Sequence, residues 1–362
     1  YNCDIIRKIF PFTNPINHKG KKITIGLGDR LGLASPGHIR LIRDKDIFPV
    51  LAQQSMRELK LTGRTYHDVL SSAAWSVFQE GYIDGFGADG DHLKTTEEIK
   101  MALGYGFTMI TLDCSDYINN RTAAMSSDEI GAEYSLIPIA DRQYLEAKYS
   151  GKTFILKNGT EIYFPTLEFK RMVLTYFKAI KYTMDIYNSV IKSSGKSIDF
   201  EMSIDETLTP TTPESHYFVA SELIDNGVEI TSLAPRFCGE FQKGIDYKGD
   251  ICQFRKEFAM HVKIAEHFGY KISVHSGSDK FSVFPIIGKE SGGCYHLKTA
   301  GTNWLEGVRI IAEKNPDLYR RIHRFAEKNL HEAKKYYHIS ADLSKIPDID
   351  SLKNEELPSL MD

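Results

Sequence analysis

Short runs of alternating or continuous apolar residues recur along the chain, separated by stretches with helical spacing. The runs predict strands at 22–28, 47–53, 83–88, 108–113, 199–205, 229–233, 271–275 and 294–299. Amphipathic helices are predicted at 66–81, 213–226, 254–268 and 304–313. Eight strands with helices between them point to an α/β fold, a closed (β/α)8 TIM-like barrel, with a doubly wound open sheet as the alternative. Such a barrel takes about 250 residues. The excess falls in an insertion at about 117–197, between the fourth and fifth strands. It holds a small hairpin turning at Lys157-Asn158-Gly159-Thr160 and a long helix over 167–192 that stops near Gly195. Phe169, Met172, Val173, Tyr176, Phe177 and Ile180 recur at helical spacing in that helix, so its aromatics read as core. The catalytic domain is expected to span 1–345, with a polar, weakly structured tail at 346–362.

Composition narrows the function classes. The 45 basic and 48 acidic residues are well mixed and leave a net charge of -3. Nucleic acid and membrane are therefore not expected as partners, whereas a small-molecule substrate is, and homo-oligomerisation is left open. No run approaches the roughly 20 apolar residues of a membrane helix. With no signal peptide visible at the start, a cytoplasmic location is the expectation. The five cysteines are scattered without a CxxC pair and read as reduced thiols. Tyr1 in place of Met suggests a portion of a longer product.

Barrel strands point apolar side chains inward, and active sites are built where they fail to do so near the C-terminal ends. In the fifth strand Glu201, Ser203 and Asp205 share one face, opposite Phe200, Met202 and Ile204. In the seventh, Ser273, His275 and Gly277 oppose Ile272 and Val274. If these faces look into the barrel, a carboxylate and an imidazole converge where burying charge needs compensation. The turn after the third strand offers Asp89, Asp91, His92 and Lys94, the sixth strand is followed by Arg236 and Glu240, and the last carries His296 and Lys298. Imidazole with carboxylate suits Zn, Mn, Co or Ni. His92, Glu201 and His275 are the expected ligands of a divalent metal ion, with His296 and Asp91 in reserve. The glycine-rich Gly26-Leu-Gly-Asp-Arg-Leu-Gly32 lacks both the full dinucleotide fingerprint and the P-loop Lys-Ser/Thr, and neither a GxSxG elbow nor an HExxH helix occurs.

These motifs carry a family resemblance. Gly28-Asp-Arg-Leu-Gly32, Ala52-Gln-Gln-Ser55, Gly85-Phe-Gly-Ala-Asp89 with Asp91 and His92, Asp205-Glu-Thr207, Lys243-Gly-Ile-Asp-Tyr-Lys-Gly-Asp250, His275-Ser-Gly-Ser-Asp-Lys-Phe-Ser-Val283 and His338-Ile-Ser-Ala-Asp-Leu-Ser-Lys345 resemble the tagaturonate epimerases. The resemblance implies a metal-dependent barrel enzyme that interconverts tagaturonate and fructuronate at the ketose C4 centre, with tagatose and fructose as further substrates. A sugar acid calls for cations beside acids. Asp29, Arg30, Gln54, Lys94, Arg236, Asp279, Lys280 and Lys298 are the substrate-binding candidates, with Lys298 or Arg30 on the carboxylate. Asp91 and Glu240 are the candidate acid and base. The residue types alone also allow a metal-dependent aldolase or sugar isomerase, or a non-catalytic sugar-binding protein.

Overall fold

In the computed structural model, which describes residues 2–18 and 20–361, ten strands form: β1 Ile23–Gly26, β2 Phe48–Ser55, β3 Gly87–Leu93, β4 Met109–Asp113, β5 Thr153–Ile155, β6 Glu161–Tyr163, β7 Asp199–Ile204, β8 Ser232–Pro235, β9 Lys271–Val274 and β10 Tyr295–Lys298. β5 and β6 make the antiparallel hairpin of the insertion. The other strands pair in parallel and close a barrel in the order β1-β10-β9-β8-β7-β4-β3-β2. The open-sheet alternative is thereby excluded.

Local chemistry sets the helix boundaries. Thr65 with Asp68, and Thr95 with Glu98, form reciprocal capping boxes that start the helices Tyr66–Glu80 and Thr96–Tyr105. The long helix of the insertion runs Thr166–Ile186, widens into a π turn at Tyr187–Ile191 and ends at Gly195, whose φ of 64° is open to glycine at little steric cost. Phe200, Met202 and Ile204 turn outward from β7 and are fully buried against the helix layer, in one cluster with Phe218, Phe254 and Phe258. Each such ring or branched chain contributes about 1.5–3 kcal/mol by leaving water.

The tail is better ordered than its polarity predicts. Leu357, in the 3-10 stretch Asn354–Met361, is fully buried, and Ile349 nearly so, in a satellite cluster with Ala312 and Tyr319. Tyr319 belongs to a helix, Pro316–Ala333, that the sequence reading did not anticipate. No helix among the described residues is long and apolar enough to cross a membrane, and the cysteines are free.

One buried polar chain makes stability depend on pH. The helices Pro213–Asp225 and Ile251–Phe268 bring His216 Nδ1 within 2.9 Å of His261 Nδ1, and Tyr270 Oη lies 2.6 Å from His216 Nε2. Both rings are fully buried, and burial lowers His261 to about 4 and His216 well below the usual value. Between pH 6.5 and 4 the unfolded chain therefore binds more protons, so stability falls as pH falls through that window. At pH 5 the loss from His261 is about 2 kcal/mol. The difference in denaturant midpoint between the wild type and His261→Gln isolates this ring; a difference that stays constant from pH 7 to pH 4.5 would count against it.

Candidate active site

The third strand differs most from its predicted span. Gly87-Ala-Asp-Gly-Asp-His-Leu93 reads as a polar turn by composition, yet it is the strand itself. Its acids survive inside the barrel because cations and hydroxyls from the facing strands meet them. Between Gly90 and Leu93 the register against β4 shifts, so Asp91 and His92 together face the span that Thr111 alone occupies. This bulge holds His92 at a φ of 55°, and it turns successive side chains toward the barrel mouth where strict alternation would send one outward.

Lys298 stands at the centre of the interior. Its ammonium lies 2.8 Å from Asp89, 2.9 Å from Asp91 and 3.5 Å from Glu201, and it donates to Thr111 Oγ1 at 2.6 Å. Burial opposes its charge, but the three carboxylates outweigh that and push its pKa up. The same ammonium offsets the burial of Asp91 and Glu201 and holds both well below the usual carboxylate range.

Above this layer, His92, Asp205 and His275 bring one ligand atom each into a group whose members all lie within 4.8 Å of one another; His92, Asp113 and Glu206 form a second, overlapping group. Glu201 Oε1 sits 2.7 Å from His275 Nε2, and its other oxygen accepts from Ser232 at 2.5 Å. That leaves His275 Nδ1 facing Asp205 at 3.3 Å. Both His275 Nδ1 and His92 Nδ1 are buried without a hydrogen-bond partner. Orphaned imidazole nitrogens beside a carboxylate, with the far edge of one ring fixed by a second carboxylate, fit a divalent metal ion of the borderline class. Burial works against a charged His275, yet Asp205 and Glu201 raise it to about 10, so the pocket draws positive charge.

Two of the three expected metal ligands, His92 and His275, meet in this group. Glu201 contacts the opposite edge of the His275 ring instead. His296 bonds Thr24 through Nδ1 at 2.8 Å and stacks on His18, a layer deeper in the barrel, because inward residues of one strand occupy successive layers. Asp205 takes the place the sequence reading gave to Glu201. Its signal was its position just past the C-terminal end of β7, on the face already seen to be polar.

The group opens into an inner cavity of about 70 Å³ and then an outer one of about 470 Å³, which share Asp205, Glu206, His275, Arg57 and Lys243 in their walls. Asp91 and Lys298 line the inner cavity; Arg236 and Glu240 line the outer, where Glu240 is 3.5 Å from His338. Arg236 donates to the Thr207 carbonyl. Several other substrate-binding candidates are engaged elsewhere. Asp29 accepts from the backbone of Gly32, Leu33, Ala34 and Ser35 and so fixes the turn after β1. Gln54 bonds Thr62 and Arg64. Lys94 reaches Ser115 and Asp116, and Asp279 accepts from Thr302. Lys280 is fully buried and donates to the carbonyls of Gln242, Ile245 and Ser278, joining two loops. Arg30 pairs with Glu58 at 2.6 Å. Arg57, Lys243 and Glu206, which the sequence reading did not nominate, are at the cavity wall; Arg57 and Lys243 come from segments far apart in the chain, and no local pattern joins them.

Comparisons with known proteins identify the family. A family model described as tagaturonate epimerase matches residues 1–362. A tagaturonate/fructuronate epimerase of Thermotoga maritima is 47% identical over 364 residues, which cover 100% of this chain and 74% of that protein. Solved structures of fructuronate-tagaturonate epimerase from Cohnella laeviribosi, native and with one glycerol, superpose with a TM-score of 0.97 at 53% identity, over 99% of this chain and 73% of theirs. The chain belongs to the tagaturonate epimerase family, a family of carbohydrate epimerases.

Proposed function

We propose that this chain interconverts D-tagaturonate and D-fructuronate, that it depends on a divalent metal ion, and that it works by carbon–carbon cleavage and re-addition. Family membership supports the substrate pair, and the single structural observation that carries the reading is the convergence of His92, Asp205 and His275 on a cavity wide enough for a sugar acid. A divalent ion bound there supplies Lewis-acid polarisation of the ketose oxygens.

The acidity of the substrate decides the route. The C4 hydrogen of a 2-ketose is not adjacent to the carbonyl, so removing it would leave an unstabilised carbanion. Retro-aldol cleavage avoids this: a base takes the C4 hydroxyl proton, C4 becomes an aldehyde, and the C3–C4 electron pair passes to C3 and onto the C2 carbonyl as an enediolate. Rotation of the aldehyde presents its other face, and re-addition gives the epimer. Asp91, kept ionised by Lys298 and lining the inner cavity, and Glu240 on the outer wall are the acid and base of this proposal. The same chemistry extends to the neutral pair tagatose and fructose.

The test is isotopic. Tagaturonate deuterated at C4 is expected to give fructuronate that keeps its label through many turnovers in ordinary water, followed by proton and carbon NMR. Loss of deuterium to solvent would end the cleavage mechanism, and absence of fructuronate would end the assignment. Dialysis against a chelator should stop turnover, and added Zn, Mn, Co or Ni should restore it.

A further inference from the structure

Arg57 and Lys243 are two cations on the wall shared by both cavities whose bonding capacity is not filled by the described residues. Lys298 is committed to Asp89 and Asp91. Arg57 Nη1 donates to the Tyr336 carbonyl at 2.8 Å, but its Nε is buried with no partner. The nearest carboxylate to Lys243 Nζ is Glu58 at 3.6 Å, and that same oxygen already holds Arg30 at 2.6 Å. Burial lowers the pKa of Lys243, a sign that its charge is under-compensated. Three cations, Arg30, Arg57 and Lys243, surround the Tyr337 ring at 5.7, 4.7 and 5.0 Å. With Glu58 as the acid bonded among them, the cluster carries an excess of positive charge at the end of the cavity that adjoins His92 and His275.

We propose that Arg57 and Lys243 form a carboxylate clamp that anchors the acid end of the substrate and retains the carboxylated aldehyde while it turns. The proposal rests on the reaction described above. Cleavage of the C3–C4 bond of a uronate leaves two pieces: the C1–C3 enediolate, and a three-carbon aldehyde bearing the carboxylate at its far end. The second piece must rotate without leaving. Charge-assisted bonds to its carboxylate stop it translating and leave the torsion between the aldehyde and its neighbour free. Tyr337 packs over both cations from the C-terminal segment and lines the outer cavity. A neutral ketose yields glyceraldehyde in place of the acid, which this clamp cannot hold.

Glycerate, the reduced form of the carboxylated fragment, is the probe, with glycerol as its uncharged counterpart, and binding to the full-length wild type is read by calorimetry independently of turnover. Glycerate is expected to bind at least about tenfold more tightly than glycerol. Arg57→Met and Lys243→Met should each erase most of that preference, raise the KM for fructuronate about tenfold or more, and increase the dihydroxyacetone that escapes during turnover. Lys243→Arg should restore the preference. Unchanged thermal midpoints and metal content separate this from a loss of fold, and each single variant tests the clamp without the other. Equal glycerate binding by the wild type and both Met variants would overturn the clamp. Selective glycerate binding by a wild type that leaves tagaturonate unchanged would keep the clamp and overturn the epimerase reading.

Discussion

A His275→Ala protein is expected to purify with less than about a tenth of an equivalent of divalent metal and to turn over at less than about a hundredth of the wild-type rate. The loss has two parts. The ring whose Nδ1 faces Asp205 disappears from the group it forms with His92, and Glu201 loses the ring it holds at 2.7 Å. Two further variants separate these parts. Glu201→Gln keeps a hydrogen-bonding group against Nε2 but removes its charge, so metal affinity should drop by about 10–100-fold without vanishing. His296→Asn, changed a layer deeper where Nδ1 meets Thr24, should keep its metal. Metal analysis of the three purified proteins is the check: stoichiometric metal in His275→Ala, or none in His296→Asn, would remove the ligand set.

The barrel was legible because outward faces such as Phe200, Met202 and Ile204 keep strict period-two alternation against the helices. The same alternation exposed Glu201 and His275, since polar residues on an inward face have no other reason to recur. It failed on β3. There a bulge breaks the period and the inward acids are compensated by Lys298, from the far end of the chain, so a buried strand has the composition of a turn. Residue type also misled where a charged group serves the backbone. Lys280 and Asp29 look like ligands in a motif, but one joins loop carbonyls and the other caps a turn. Arg57 lay in no motif, and Lys243 opened one without being singled out, because their meaning comes from sharing a cavity wall and a ring with each other.

Replacing Lys298 with Met should destabilise the fold more than any other single charge removal in the barrel. Asp89 and Glu201 are fully buried and Asp91 nearly so, and the ammonium of Lys298 is the group that touches all three. Thr111 Oγ1 lies 3.0 Å from both oxygens of Asp89 and 3.2 Å from Glu201, but it has one proton and cannot serve both acids. Removing one partner of such a cluster costs about 3–5 kcal/mol, because the buried charge of Asp89 loses the cation it is paired with, while Glu201 keeps His275. Asp89 is the acid best placed to give way: burial already holds its pKa above the usual value, even with Lys298 present. In the Met variant that pKa rises further, so the folded state binds a proton that the unfolded state does not, and the variant's deficit relative to wild type should shrink as pH falls from 8 toward 5. Asp89→Asn in the Lys298→Met background should recover part of the loss at pH 8 and flatten this dependence. Urea unfolding midpoints of the wild type, the single variant and the double variant decide the matter; a deficit below about 1 kcal/mol at pH 8 would mean that the three carboxylates are not held by Lys298 in the way the geometry requires.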